Sequence, residues 1–203
     1  MDRNGDSLEA AGGARNAVPR RAPAATPAQA HAIEGAARVS RCGRYRYALW
    51  RRWADGPQVL FVMLNPSTAD AKADDPTIRR CVDFARRWGF GSIAVGNLFA
   101  FRTPSPRALR RAVAPVGPRN DAWLARMARE SVQIVAAWGN DGSWLDRDRA
   151  VRRLLPELHA LAFTKSGQPR HPLYLPAAAR PQCWTGSRDD APCALSRGAS
   201  APA

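Results

Sequence analysis

Paired cysteines are missing. The four cysteines, Cys42, Cys81, Cys183 and Cys193, stand far apart and form no C-x-x-C pair, so neither a zinc ribbon nor a thioredoxin-like redox motif is encoded. Iron–sulfur ligation needs a closer grouping; no metal site and no cofactor are expected. Long apolar runs are missing too. Nothing approaches the roughly 18 consecutive apolar residues of a membrane span, and no apolar core of a secretory signal stands near the first residue. A cytoplasmic, reducing setting without membrane contact is the expectation. Neither G-x-G-x-x-G nor G-x-x-x-x-G-K followed by Ser or Thr occurs, and Lys165-Ser166-Gly167 is too short to wrap a phosphate. Dinucleotide and nucleoside triphosphate binding therefore lack their usual signals.

What is abundant is arginine. The 203-residue chain has a net charge of +14, and nearly all of its 31 basic residues are arginine. Residues 41–175 hold 23 of them against 11 acidic residues, a net charge of +12. The flanks, residues 1–39 and 177–203, are rich in small residues, proline and arginine, with few large apolar side chains. They are expected to stay disordered, because they bury too little to offset the entropy of ordering. A single α/β domain over residues 40–176 remains. Its field attracts polyanions, nucleic acid and DNA in particular, through phosphate contacts and counterion release. An arginine-rich surface without such a partner gives the same count, and charge alone leaves both open.

Within that domain the elements alternate. Tyr45, Tyr47 and Leu49 alternate with arginines as an edge strand does, and Asp55-Gly56-Pro57 turns the chain. Val59 to Leu64 is a continuous apolar run, the pattern of a strand covered on both faces. A helix follows: Asp75 suits the N-cap, Pro76 the first turn, and Ile78, Cys81, Val82, Ala85 and Trp88 keep helical spacing. Ser92 to Gly96, Val132 to Trp138 and His159 to Phe163 read as further strands, with helices before the last two and Asn120 as a second N-cap. This order predicts a three-layer α/β/α domain around a central, mainly parallel four-stranded sheet.

Ligands of such sheets sit beyond the carboxyl ends of the strands. Polar residues stand at those ends: Asn65-Pro66-Ser67 after the first, Asn97 after the second, Gly139-Asn140 after the third, and Arg170-His171 after the fourth. Each has a plainer explanation. Asn65-Pro66-Ser67 makes a good turn in its own right, Asn97 can end a strand by bonding backbone, and Asp75 is occupied as a cap. Asp70 has no such structural duty and is the carboxylate read as a catalytic candidate. Trp88 and Trp123 fit helix core faces, so they count as packing rather than as platforms for bases.

At two levels these blocks are familiar. YRYALWRRW, MLNPSTADAKADDPTIRRC, GNLFAFRTPSP, PVGPRND, AAWG and PRHPLYL resemble, in order and across about residues 40 to 176, the domain of unknown function 1643 family. VLFVMLNPS, SIAVGNLFAFRTP, IVAAWG and HPLYL also resemble the strand-end motifs of the uracil-DNA glycosylase superfamily. The second resemblance implies a single parallel-sheet domain of that type with a basic groove across its strand ends. In it Asn65 would orient or activate the attacking water, Asn97 would read the base edge, and His171 would stabilise charge on the departing base. Pro66, Ser67, Asn140, Arg170 and Tyr174 complete the candidate substrate contacts, with Leu173 or Tyr174 as a wedge between bases.

Three functions are carried forward: hydrolysis of a nucleobase N-glycosidic bond in DNA, base recognition without cleavage, and chemistry on a free nucleoside or nucleotide. The oligomeric state is not encoded in any pattern.

Overall fold

A computed structural model of the protein describes residues 33–184. The apolar run read as a doubly covered strand is β3 (Gln58–Met63), and alternate residues feed two separate cores. Leu60 and Val62 join Leu124, Met127, Ile134 and Val151 on one side of the sheet. Val59, Phe61 and Met63 join Ile78, Val82, Phe84 and Val135 on the other. Because both faces are buried, no polar residue interrupts the run.

The side that takes Phe61 is covered by α1 (Pro76–Arg87). Asp75 caps it as expected, its Oδ1 accepting from the Ile78 N–H at 2.8 Å, and Trp88 at its other end stacks on Phe84 and Phe61. The opposite side is covered by α3 (Asn120–Arg129) and α4 (Arg147–Leu154), with α2 (Pro106–Arg111) adding Leu109. Three layers result. Among the described residues no helix is long and apolar enough to cross a membrane.

The sheet departs from expectation. It has seven strands rather than four, ordered β1-β2-β4-β3-β5-β6-β7, the others being β1 (Glu34–Val39), β2 (Arg46–Arg52), β4 (Ser92–Asn97), β5 (Gln133–Ala136), β6 (His159–Ala160) and β7 (Gln182–Cys183). It is mixed rather than mainly parallel: β4, β3, β5 and β6 pair in parallel, whereas the pairings of β1 with β2, β2 with β4 and β6 with β7 are antiparallel. Strand β2 is consequently internal, not an edge, since β1 covers its free side. Both β1, ahead of residue 40, and β7, beyond residue 176, belong to the sheet. The tail readings for residues 1–32 and 185–203, and Cys193 with them, lie outside the described residues.

One cap is also corrected. Arg119, not Asn120, occupies the N-cap of α3, without a side-chain bond. Asn120 lies inside the first turn, and its amide has been taken for another use described below.

Candidate functional site

The chain leaves β3 for α1 on one face, returns to β4 beside it, then crosses to α3 on the other face before β5. Such a reversal leaves a crevice at the carboxyl ends of the strands. Here that crevice is a cavity of about 200 Å3 whose wall includes Asn65, Ser67, Asn97 and His171, four of the residues read from sequence. Drug-sized pockets begin at roughly 300 Å3, so the space suits a small ring.

Asn65 follows β3 and is locked by its own amide. Its Nδ2 donates to the carbonyl of Thr103 at 2.7 Å and of Pro66 at 3.1 Å. Both donors are spent, so the atom left to act on a ligand is Oδ1, an acceptor. Pro66 is buried, and its carbonyl also accepts from the Thr103 N–H at 2.9 Å, which holds the Asn-Pro-Ser turn against the segment after β4.

Asn97 is the last residue of β4 and is 1% exposed. Its Nδ2 is buried and has no hydrogen-bond partner. Leaving such a donor unpaired costs about 1–3 kcal/mol, a penalty that a ligand acceptor in the cavity would relieve.

His171 caps the short 3-10 turn Pro172–Tyr174, its Nδ1 accepting from the Leu173 N–H at 3.3 Å. Burial pushes its pKa below the usual 6.5, against the opposing pull of Asp75. A neutral ring whose Nδ1 accepts carries its proton on Nε2. His171 is thus a neutral donor.

Among the residues that sequence reading did not assign to the site, Arg46, Asp75, Thr103 and Trp138 also line the cavity. Asp75 serves as helix cap and wall together, and it supplies the carboxylate. Arg46 is 3% exposed; it donates to the carbonyl of Ala69 while its Nε has no hydrogen-bond partner. Burial lowers its pKa to about 10, with Asp75 offsetting part of that effect, and the guanidinium remains charged at neutral pH. Trp138 contributes an apolar wall and fixes its indole by donating to Gln168 Oε1 at 2.8 Å.

The other sequence candidates fall outside this wall. Asp70 is exposed, and its Oδ1 accepts from the N–H groups of Lys72 and Ala73, both at 2.8 Å. Those bonds hold its pKa down and give it the structural duty that the sequence did not reveal. Asn140 is exposed and accepts from Ser166 Oγ at 2.8 Å. Arg170, one residue before His171 in the chain, is exposed, and Tyr174 is 71% exposed with its ring 5.7 Å from that of His171. Phe99, two residues after Asn97, is fully buried against Trp144 and presents no open face to a base.

Only Asp75 carried a readable signal, as a third aspartate immediately before a helix. Arg46 was hidden by the assumption of an edge strand.

The cavity therefore offers two neutral donors, Asn97 Nδ2 and His171 Nε2, an acceptor on Asn65, a carboxylate and a buried cation. Among the described residues no cluster of His, Cys, Asp and Glu has the makings of a metal site. No curated protein and no solved structure matches the chain. Residues 46–173, more than half of its length, match the model of the family described as Protein of unknown function (DUF1643), and the protein belongs to that family.

Proposed function

We propose that the cavity holds a nucleobase and that the domain, of uracil-DNA-glycosylase type, hydrolyses the N-glycosidic bond of that base in DNA. The observation that carries this reading is Asn97: an almost fully buried amide with an unpartnered donor, in one cavity with a neutral histidine donor and an asparagine acceptor. A base presents carbonyl acceptors and ring N–H donors side by side, which is the complement of that set.

The chemistry follows from the groups. Water, held by Asn65 Oδ1, adds to the sugar C1′ as the C–N bond breaks, and its proton passes to the Asp75 carboxylate. The bonding pair leaves with the base, whose negative charge spreads to a carbonyl facing His171 Nε2–H. A placed donor at developing charge typically contributes about 10²–10³-fold in rate. Asp75 takes the part that the sequence assigned to Asp70, because Asp75 lines the cavity and the Asp70 carboxylate is held elsewhere. A target base would have to leave its stack to enter.

The test is a panel of labelled oligonucleotides, single- and double-stranded, carrying uracil, hypoxanthine, thymine mismatches and oxidised or alkylated bases. Each is incubated with the wild type or with His171→Ala, then treated with alkali to break abasic sites. Breaks made by the wild type and reduced at least a hundredfold in the variant are expected. Tight binding to one lesion with no break in any strand would replace the enzyme with a non-catalytic base reader. Hydrolysis of free nucleosides with all strands left intact would move the substrate to the monomer.

A further inference from the structure

Two larger cavities flank the turn between β1 and β2. The first, about 670 Å3, shares Ser67, Thr103 and Pro104 with the base cavity and so opens directly beside it. Arg44 and Arg102 stand in its wall with the hydroxyl of Thr68, and no carboxylate does. Arg102 Nε is buried without a hydrogen-bond partner, and its Nη1 reaches only the Gly43 carbonyl at 3.3 Å. The second, about 440 Å3, lies on the other side of the same turn. It gathers Arg38, Arg41 and Arg119, again with no carboxylate.

Some arginines of the domain sit against carboxylates: Arg51 with Asp74, Arg110 with Asp141, Arg126 with Glu130 and Arg147 with Asp121. Among the described residues none of the five arginines around the turn has an ion-pair partner. Five uncompensated guanidinium groups on two neighbouring hollows make a positive path that begins at the mouth of the base cavity. Guanidinium is the side chain best matched to phosphate oxygens.

We propose that a nucleic-acid strand runs over the β1–β2 turn, with the phosphate next to the cavity nucleotide held by Arg44 and Arg102, and the phosphates beyond it by Arg38, Arg41 and Arg119. This makes the ligand a polynucleotide rather than a free nucleoside or nucleotide, because the two hollows share no lining residue and each gathers its own arginines. The proposal rests on the base-site reading of the small cavity. Its test reads strand binding and not cleavage, so it stands or falls whether or not a glycosidic bond is cut.

A short fluorescein-labelled oligothymidylate is titrated by anisotropy over a series of salt concentrations, using the full chain. The logarithmic salt slope of single-strand binding becomes shallower by about 0.7 for each phosphate that is no longer neutralised. Arg44→Gln/Arg102→Gln, which releases the one phosphate they share, is expected to flatten the slope by about 0.7, and Arg38→Gln/Arg41→Gln, counting one phosphate for each arginine, by about 1.4. Arg87→Gln/Arg129→Gln, which removes the same charge from exposed sites before the opposite ends of β4 and β5, should leave it unchanged. Equal flattening in all three would reduce the effect to net charge and overturn the path. No flattening in the first pair would remove the phosphate site, and thymidine monophosphate competing as well as the strand would reduce the ligand to a mononucleotide.

A chemical block supplies an independent arm. Cys42 lines the first hollow and is exposed, and its hydrogen bond with Ser40, with help from Arg44, lowers its pKa to about 7. A bulky maleimide should attach there at neutral pH and weaken strand binding by tenfold or more in the wild type but not in Cys42→Ser. Undiminished binding by the labelled wild type would place the strand elsewhere.

Discussion

The side-chain amide of Asn120, at the start of α3, donates to the carbonyl oxygens of Asn97 at 2.8 Å and Leu98 at 3.0 Å, at the end of β4. Arg147 Nε donates to the same Leu98 carbonyl at 2.9 Å. The backbone under the Asn97 side chain is thereby pinned from two helices. Its unpartnered amide is therefore a fixed feature of the wall and does not come from a loose strand end.

That clamp has a measurable worth. Asn120→Ala strips the Asn97 carbonyl of this donor, while the Leu98 carbonyl keeps its bond from Arg147, and a loss of about 2 kcal/mol is expected from the usual cost of an unsatisfied buried group. Urea unfolding followed by circular dichroism would give it from the shift in midpoint at constant slope. A loss under half of that would mean that water replaces the amide without cost.

Asn97 should behave in the opposite way. Its Nδ2 makes no hydrogen bond in the folded protein, so Asn97→Leu, close to it in size, removes an unpaired donor and should leave stability unchanged or raised by about 1 kcal/mol. Base recognition should fall at least a hundredfold. Paired measurements of melting and of oligonucleotide cleavage separate the two effects, and a variant that is destabilised yet fully active would end the assignment of Asn97 to the ligand.

The protonation state of His171 sets an acid limit. Its folded pKa lies below the unfolded 6.5 because burial disfavours the charged ring, so the unfolded chain binds the proton first as pH falls. The contribution of this group to stability is intact above 6.5, is lost progressively below it, and levels off beneath the folded pKa. If the neutral ring is the working form, cleavage should decline with an apparent pKa below 6.5, and His171→Gln should lose that limb together with most of the rate. A limb that persists in the variant belongs to another group.

Gly142 supports the Trp138 wall. A Cβ at residue 142 would stand 2.0 Å from Cδ1 and 2.5 Å from Nε1 of Trp138, so Gly142→Ala must push the ring aside. The strain should cost about 1–3 kcal/mol, and intrinsic tryptophan fluorescence should shift to the red as the indole meets water. Affinity for the base should drop in step. An unshifted spectrum would show that the backbone at residue 142 moves instead.

Much of the fold is legible from local patterns. The run in β3, the cap and apolar face of α1, and the polar residues after each parallel strand follow from side-chain period and turn chemistry, which act over a few residues. Strand β1 is not legible, because EGAARV is mostly exposed and shows no apolar alternation; its backbone bonds to β2 hold it. Gly35 within it passes so close to the next loop that a Cβ would lie 2.2 Å from the Ala71 carbonyl. Without β1, the arginines of β2 read as a solvent face. With it, Arg51 is 3% exposed and donates to Asp74 and to the carbonyls of Trp50, Asp70 and Ala73, tying down the loop that leads to Asp75.

The order of amino acids alone settles the concentration of positive charge in residues 41–175, the succession of the parallel strands, and the placing of Asn65, Asn97 and His171 after them, because each depends on composition or on neighbours in the chain. Which aspartate reaches the cavity is settled only by long-range packing. In the sequence Asp75 reads as a helix cap and Asp70 as unengaged; in the fold the N–H groups of Lys72 and Ala73 hold Asp70 at the surface, while capping α1 carries Asp75 inward to the wall it shares with Arg46 and His171. Distant parts of the chain must pack before that difference exists.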